Sequence, residues 1–413
     1  MAKITGNIVI GQSGGPTAVI NASVAGIYKA AKDMGVANVY GMVHGIQGFL
    51  ERNLISLEEY LDKGINLELL KRTPSAFLGT CRYKLPALEG NEAVYEQIFR
   101  VMKDYNIEAF FYIGGNDSMD TVKMLSDYAA AHGRKERFIG IPKTVDNDLP
   151  ITDHCPGYGS AAKYIATSLK EVIRDVESTG LANPTVLLVE IMGRHAGWLT
   201  AAAALAKGDD CSGADAIYLP ERVFDIDQFV AHIEEVAKTK NTIVIAISEG
   251  VKLADGRFVC ELGGGADSVD VFGHKQLSGC ASTLANIVST MTGFKTRAIE
   301  FSTLQRAASH MASMTDIDEA MQAGYHGVEA AAEGKTGVMV VMQRISQQPY
   351  FCKMDTYDIH NIANGEKTVP VEWITEDGRG LKDEMLKYLR PLIMGEVLPV
   401  YVDGLPAHLV RRK

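Results

Sequence analysis

Short runs of valine, isoleucine, phenylalanine and tyrosine recur along the chain, separated by stretches whose apolar residues fall three and four positions apart. Short strands alternating with amphipathic helices are the mark of βα units around a mostly parallel sheet. The pattern predicts strands near Asn7 to Gly11, Val39 to Val43, Ala109 to Ile113, Phe138 to Ile141, Thr185 to Ile191, Ala214 to Leu219, Thr242 to Ile247, Thr296 to Phe301 and Gly337 to Met342. So many strands suit two sheets. Between them, Ile165, Leu169, Val172, Ile173 and Val176 repeat at helical spacing, as do Val122, Leu125 and Ala129, and these stripes are read as core. The glycine-rich stretch Leu262 to Asp267 reads as a surface loop, and the polar, weakly periodic segment 347–379 as an excursion that packs back onto a domain.

A chain of 413 residues exceeds what one hydrophobic core usually organises, so two domains are expected. The formal charge of -10 argues against a general affinity for nucleic acid or anionic membrane, but a small anion needs only a few local cations and N–H groups. Six cysteines lie far apart without a Cys-x-x-Cys pair and are read as reduced packing residues. The N-terminus runs straight into a strand-like segment without a cleavable signal, and no apolar run approaches bilayer length, so a cytoplasmic location is expected.

Ligands of parallel sheets bind at the carboxyl ends of strands. After the first predicted strand comes Gly11-Gln12-Ser13-Gly14-Gly15-Pro16-Thr17, and after the third comes Gly114-Gly115-Asn116-Asp117-Ser118, each followed by a helical pattern. Glycines there let backbone N–H groups reach a phosphate at a helix N-terminus. Either loop alone is an ordinary βα turn. A third loop of another kind, Pro142-Lys143-Thr144-Val145-Asp146-Asn147-Asp148, shifts the balance, because a turn does not need two carboxylates and a cation. Like charges so close call for a metal ion or a substrate hydroxyl, and Asp146 is read as a general base. Asp148 is equally suited to capping a turn. Arg194, in Met192-Gly193-Arg194, suits a sugar phosphate, and Glu249 can accept hydrogen bonds from sugar hydroxyls, while His195 is read as packing or capping. Gly334-Lys335-Thr336 lacks the P-loop glycine five positions earlier, where Glu329 stands, and no dinucleotide fingerprint is present.

The ordered set Gly-Gly-Pro-Thr-Ala-Val-Ile-Asn at 14–21, Gly-Gly-Asn-Asp-Ser at 114–118, Pro-Lys-Thr-Val-Asp-Asn-Asp at 142–148, Met-Gly-Arg at 192–194, Glu249 and the segment 296–306 ending in Gln305-Arg306 resembles the phosphofructokinase family across most of the chain. The resemblance implies an α/β protein of two Rossmann-like parallel-sheet domains with the active site in the cleft between them. It implies a phosphoryl-donor domain over 1–157, completed by about 303–345, and a fructose 6-phosphate domain over 158–302, completed by 380–413. Members that use ATP carry glycine where this chain has Asp117 and Lys143; members that use pyrophosphate carry Asp and Lys, so the implied donor is pyrophosphate. A carboxylate at 117 would repel a nucleotide's inner phosphate, and the Lys143 ammonium can neutralise pyrophosphate.

By the same resemblance Asp146, Lys143 and Asp117 are the catalytic set, and Gly15, Arg82 and Lys143 bind the diphosphate. Thr144, Val145, Asp146, Met192, Gly193, Arg194, Glu249, Arg297, Arg306, Tyr388 and Arg390 bind the sugar phosphate, with one arginine coming from a neighbouring subunit of a homodimer or homotetramer. Mg2+ is implied as cofactor. Asn116 stands where the family places a metal-binding aspartate, so either Asn116 binds the ion through its carbonyl or Asp117 takes over, and Thr185 and Thr303 replace an arginine and a histidine found in many ATP-using members. The alternatives are an ATP-dependent 6-phosphofructokinase, which Asp117 and Lys143 oppose, and a catalytically silent sugar-phosphate-binding regulator, which the intact Asp146 opposes. No counterpart of a nucleotide effector site is found, so an enzyme without allosteric control is expected.

Overall fold

The computed structural model describes residues 4–179, 182–264, 277–363 and 365–411. Eleven strands form two main sheets among these residues: β1 (Asn7–Gln12), β2 (Val39–Met42), β3 (Leu54–Ser56), β4 (Ile107–Gly114), β5 (Arg137–Pro142), β6 (Thr185–Ile191), β7 (Ala216–Tyr218), β8 (Thr242–Ser248), β9 (Lys295–Glu300), β10 (Val338–Gln347) and β11 (Tyr350–Asp358). The first sheet has seven strands in the order β11-β10-β5-β4-β1-β2-β3 and the second has four in the order β7-β8-β6-β9. All pairings are parallel except β2 with β3 and β10 with β11. The α/β fold of two Rossmann-like parallel sheets expected from the sequence is the one observed, and every predicted strand is found, the sixth shortened to Ala216–Tyr218.

Two antiparallel edges escaped the pattern. β3 has three half-buried residues, too short for any periodicity to register. β11 falls inside the polar segment 347–379, where one face of an edge strand meets solvent and the apolar alternation thins. Of the glycine-rich stretch, Leu262 and Gly263 end a short 3-10 turn (Val259–Gly263), and residues 265–267 lie outside the described residues.

Helices cover both faces of each sheet, which is why β1 and β6 are buried along their whole length. The helix Ile20–Asp33 crosses the helix Met314–Ala332 so closely that a Cβ at Gly26 would lie 2.0 Å from Met321 O, and one at Gly324 2.2 Å from Ser23 O. Only glycine permits that approach. The predicted stripes are core: Val122, Leu125, Ile165, Leu169 and Ile173 are all buried. All six cysteines are buried and unpaired. No helix of the described residues is long and apolar enough to cross a membrane.

Candidate active site

The carboxyl ends of β1, β4 and β5 face those of β6 and β8 across a cleft enclosing about 900 Å³. Twelve of the residues singled out from the sequence line it: Gly15, Arg82, Asn116, Asp117, Lys143 and Thr144, then Val145, Asp146, Met192, Arg194, Glu249 and Arg306. Loops more than a hundred residues apart thus converge on one cavity.

On the side of the seven-stranded sheet, the turn after β1 is crowded by cations. Lys143 is buried and its Nζ donates a 2.6 Å hydrogen bond to Gly15 O. A Cβ at Gly14 would lie 3.3 Å from Lys143 Nζ, and one at Gly15 3.0 Å from Arg306 Nη1, so the glycines keep open the space where the cations meet the backbone. Arg306 Nε is buried with no hydrogen-bond partner among the described residues. Burial holds the Arg306 guanidinium below its ordinary range, and Arg82 close by adds to that. A buried ammonium and a half-buried guanidinium gathered around a glycine turn form a site for a multiply charged anion.

The two glycine loops differ in a way the sequence does not reveal. Gly115 caps the helix Asn116–Ala131 directly, so its dipole opens into the cleft. Gly15 lies five residues before the helix Ile20–Asp33, so the first loop acts through its turn and its cations rather than through a helix end.

Asp146 lies beyond β5, where its backbone N–H donates to Thr144 Oγ1 at 3.1 Å. Burial raises its carboxyl to about 6, Asp148 pushing the same way and Lys143, Arg194 and Arg306 pulling down. Burial likewise lowers Lys143 to about 8 against the pull of Asp146 and Asp148. A carboxyl and an ammonium tuned toward neutrality from opposite sides suit acid–base work. In the other half of the cleft, Gly193 N donates to Glu249 Oε1 at 3.3 Å, and burial raises the Glu249 carboxyl to about 7. Gln305 is buried, and its Oε1 accepts from Met192 N at 3.4 Å, fixing the turn that carries Arg194.

Gly193 is not among the residues that line the cavity but joins it through Glu249. Arg297 is exposed on β9, the outer strand of the four-stranded sheet, away from the cavity. Arg390 is exposed at the end of the helix Asp383–Leu389. Tyr388 is buried behind the loop that carries Asp146, its hydroxyl accepting from Asn147 Nδ2 at 2.8 Å and donating to Asp153 O at 2.7 Å. Neither Tyr388 nor Arg390 lines the cleft.

Residues given no binding role from the sequence also line it, among them Ser13, Tyr83, Thr303 and Glu366, together with His195, which the sequence marks as packing or capping. Ser13 lies within the first glycine loop, so its motif marks it. Glu366 comes from the polar segment 347–379, which carries no motif; Lys367 N donates to Asp148 O at 2.7 Å and brings Glu366 to the rim.

Residues 7–331 match the family described as Phosphofructokinase. The chain is 42% identical over 405 residues to the pyrophosphate--fructose 6-phosphate 1-phosphotransferase of Methylococcus capsulatus, covering 98% of this chain and 95% of that protein. It is 41% identical over 415 residues to the protein of the same name from Halomonas elongata, covering 98% of each. Among solved structures, the pyrophosphate-dependent phosphofructokinase from Nitrosospira multiformis superposes with a TM-score of 0.88 at 39% identity, covering 98% of both chains.

Proposed function

We propose that this chain, which belongs to the phosphofructokinase family, transfers a phosphoryl group reversibly from pyrophosphate to O1 of fructose 6-phosphate, giving fructose 1,6-bisphosphate and phosphate. The observation that carries the reading is the neighbourhood of Asp146: a half-buried carboxyl near neutrality, with Lys143 and Arg306 toward the glycine turn and Arg194 and Glu249 toward the opposite half. Asp146 takes the proton from the O1 hydroxyl as that oxygen forms its bond to the terminal phosphorus. The bridging P–O bond breaks, and phosphate leaves toward Lys143, whose ammonium offsets the charge on it. In reverse, Asp146 returns the proton to O1.

Asp117 and Lys143 favour pyrophosphate over ATP: Asp117 lies in the first turn of the helix that opens into the cleft, where its charge opposes a nucleotide's inner phosphate. Gly15 and Arg82 complete the diphosphate side. Thr144, Val145, Met192, Gly193, Arg194 and Glu249 hold the sugar phosphate, and Arg306 reaches it from beside the glycine turn, at the border of the two sides. The exposure of Arg297 on an outer strand supports a sugar-phosphate site completed by a second copy, in a homodimer or homotetramer of the cytoplasm.

Asn116 Oδ1 is buried without a hydrogen-bond partner among the described residues, and the Asp117 carboxylate follows it in the same turn. Oxygen donors of this kind fit Mg2+. Asn116 and Asp117 would hold the ion, which when bound neutralises phosphate charge. The reading is tested in the reverse direction: fructose 1,6-bisphosphate, phosphate and Mg2+ should yield pyrophosphate, followed by phosphorus NMR. Absence of pyrophosphate would refute it.

A further inference from the structure

We infer that Asn147 and Tyr388 are positioning residues, whose buried hydrogen bond holds the loop that carries Asp146 and Asp148 in its working shape. The inference rests on the reading of Asp146 as the base. Asn147 stands between two cleft-lining carboxylates yet is itself wholly buried, so along this stretch the chain turns Asp146 out, Asn147 in and Asp148 out. Its φ of 56° lies in the left-handed region, which asparagine tolerates better than most residues. A conformation of that kind persists only where surrounding contacts determine it.

Those contacts are complete. Asn147 Nδ2 donates to Tyr388 Oη at 2.8 Å, and Asn147 Oδ1 accepts from Cys155 N at 3.0 Å. The Tyr388 hydroxyl spends its own proton on Asp153 O at 2.7 Å, and Lys367 Nζ donates to the same carbonyl at 2.8 Å. The amide nitrogen, the amide oxygen and the phenol oxygen each have a partner, which fixes the amide's orientation. The tyrosine ring cannot swing away, because it packs against Trp198 at 5.3 Å and Trp373 at 5.6 Å, with the Arg344 guanidinium 4.6 Å from its centre. Arg344 also donates to Tyr388 O at 3.0 Å and pairs with Asp153 at 2.9 Å. The loop 146–153 is thereby pinned to the C-terminal helix Asp383–Leu389 from behind, while its carboxylates face the cleft. Removing one partner leaves a buried amide or carbonyl unsatisfied and frees the loop to shift. A displacement of about 1 Å at a reacting group costs on the order of 100-fold in rate.

The test is a double-mutant cycle in the full chain: Tyr388→Phe, Asp146→Asn and the pair together, with KM and kcat measured for fructose 6-phosphate and for the donor that supports turnover. Tyr388→Phe should lower kcat about 10- to 100-fold with both KM values within roughly 3-fold, and should slow the Asp146→Asn enzyme no further, because it acts through that residue. Asn147→Gly, which keeps the left-handed backbone and loses only the anchor, should reproduce the split and guards against a misfolded Tyr388 variant. A raised KM for fructose 6-phosphate with kcat kept would make Tyr388 a substrate contact and overturn the inference, as would unchanged kcat in both variants. Full activity in Asp146→Asn alone would instead sink the reading of the base on which the inference rests.

Discussion

The half of the cleft under the seven-stranded sheet is closed, with Lys143 buried and bonded to Gly15 O at 2.6 Å, whereas the half under the four-stranded sheet ends in an outer strand, β9, on which Arg297 stands exposed. The first half assembles its anion site from turns within one chain; the second leaves a sugar-phosphate candidate on its surface. Completeness within the chain therefore distinguishes the proposed donor side from the proposed acceptor side, and substitutions on the two sides should fail in different ways.

The largest expected effect lies on the boundary between them. Asp146→Asn removes the proton acceptor from both directions of transfer and should cut kcat by about 10²- to 10⁴-fold with the fold intact, read from initial rates and circular dichroism. Near-normal turnover would rule out Asp146 as the base. Next comes the closed half: changing Asp117 and Lys143 together to glycine should lower kcat/KM for pyrophosphate about 10²- to 10³-fold, the range for losing a charged stabiliser, while ATP becomes a substrate. If ATP is still rejected, other residues set the donor.

In the open half the effect should be smaller and of another kind. Arg297→Ala should raise KM for fructose 6-phosphate about 10- to 100-fold, as for losing a charged hydrogen bond, with KM for pyrophosphate unchanged. Mixing Arg297→Ala with an Asp146→Asn partner should restore some activity if the arginine serves a neighbouring copy; no restoration would place it in its own subunit's site or outside any site.

The smallest effect is a pH dependence. Asp146, raised by burial to about 6, must be deprotonated to accept, so kcat/KM falls below that pH; Lys143, lowered by burial to about 8, must be protonated, so it falls above. A bell with limbs near those values is expected, and Lys143→Arg should lift the alkaline limb while leaving the acid one. An alkaline limb that stays in Lys143→Arg would assign it to another group.

What the sequence discloses follows the same division. Strands buried on both faces announce themselves as apolar runs, and the glycine, lysine and carboxylate turns after β1, β4 and β5 are local motifs, so the closed half was legible. β11 and Glu366 were not, because an edge strand and a cleft-rim strap owe their places to tertiary contacts such as the Lys367 N to Asp148 O bond, which leave no periodicity. Tyr388 shows the converse: its sequence context resembles a substrate-lining pair, but its ring is enclosed by Trp198 and Trp373 and its hydroxyl is engaged from both sides. Which way a side chain faces at the end of a short helix is decided by packing from four distant segments, and that information is not local.

The most direct measurement compares donors: purified protein with fructose 6-phosphate and Mg2+, given pyrophosphate or ATP at equal concentration, with fructose 1,6-bisphosphate followed over time. Product should form with pyrophosphate and not with ATP; product from ATP alone would contradict the assignment of the donor to Asp117 and Lys143.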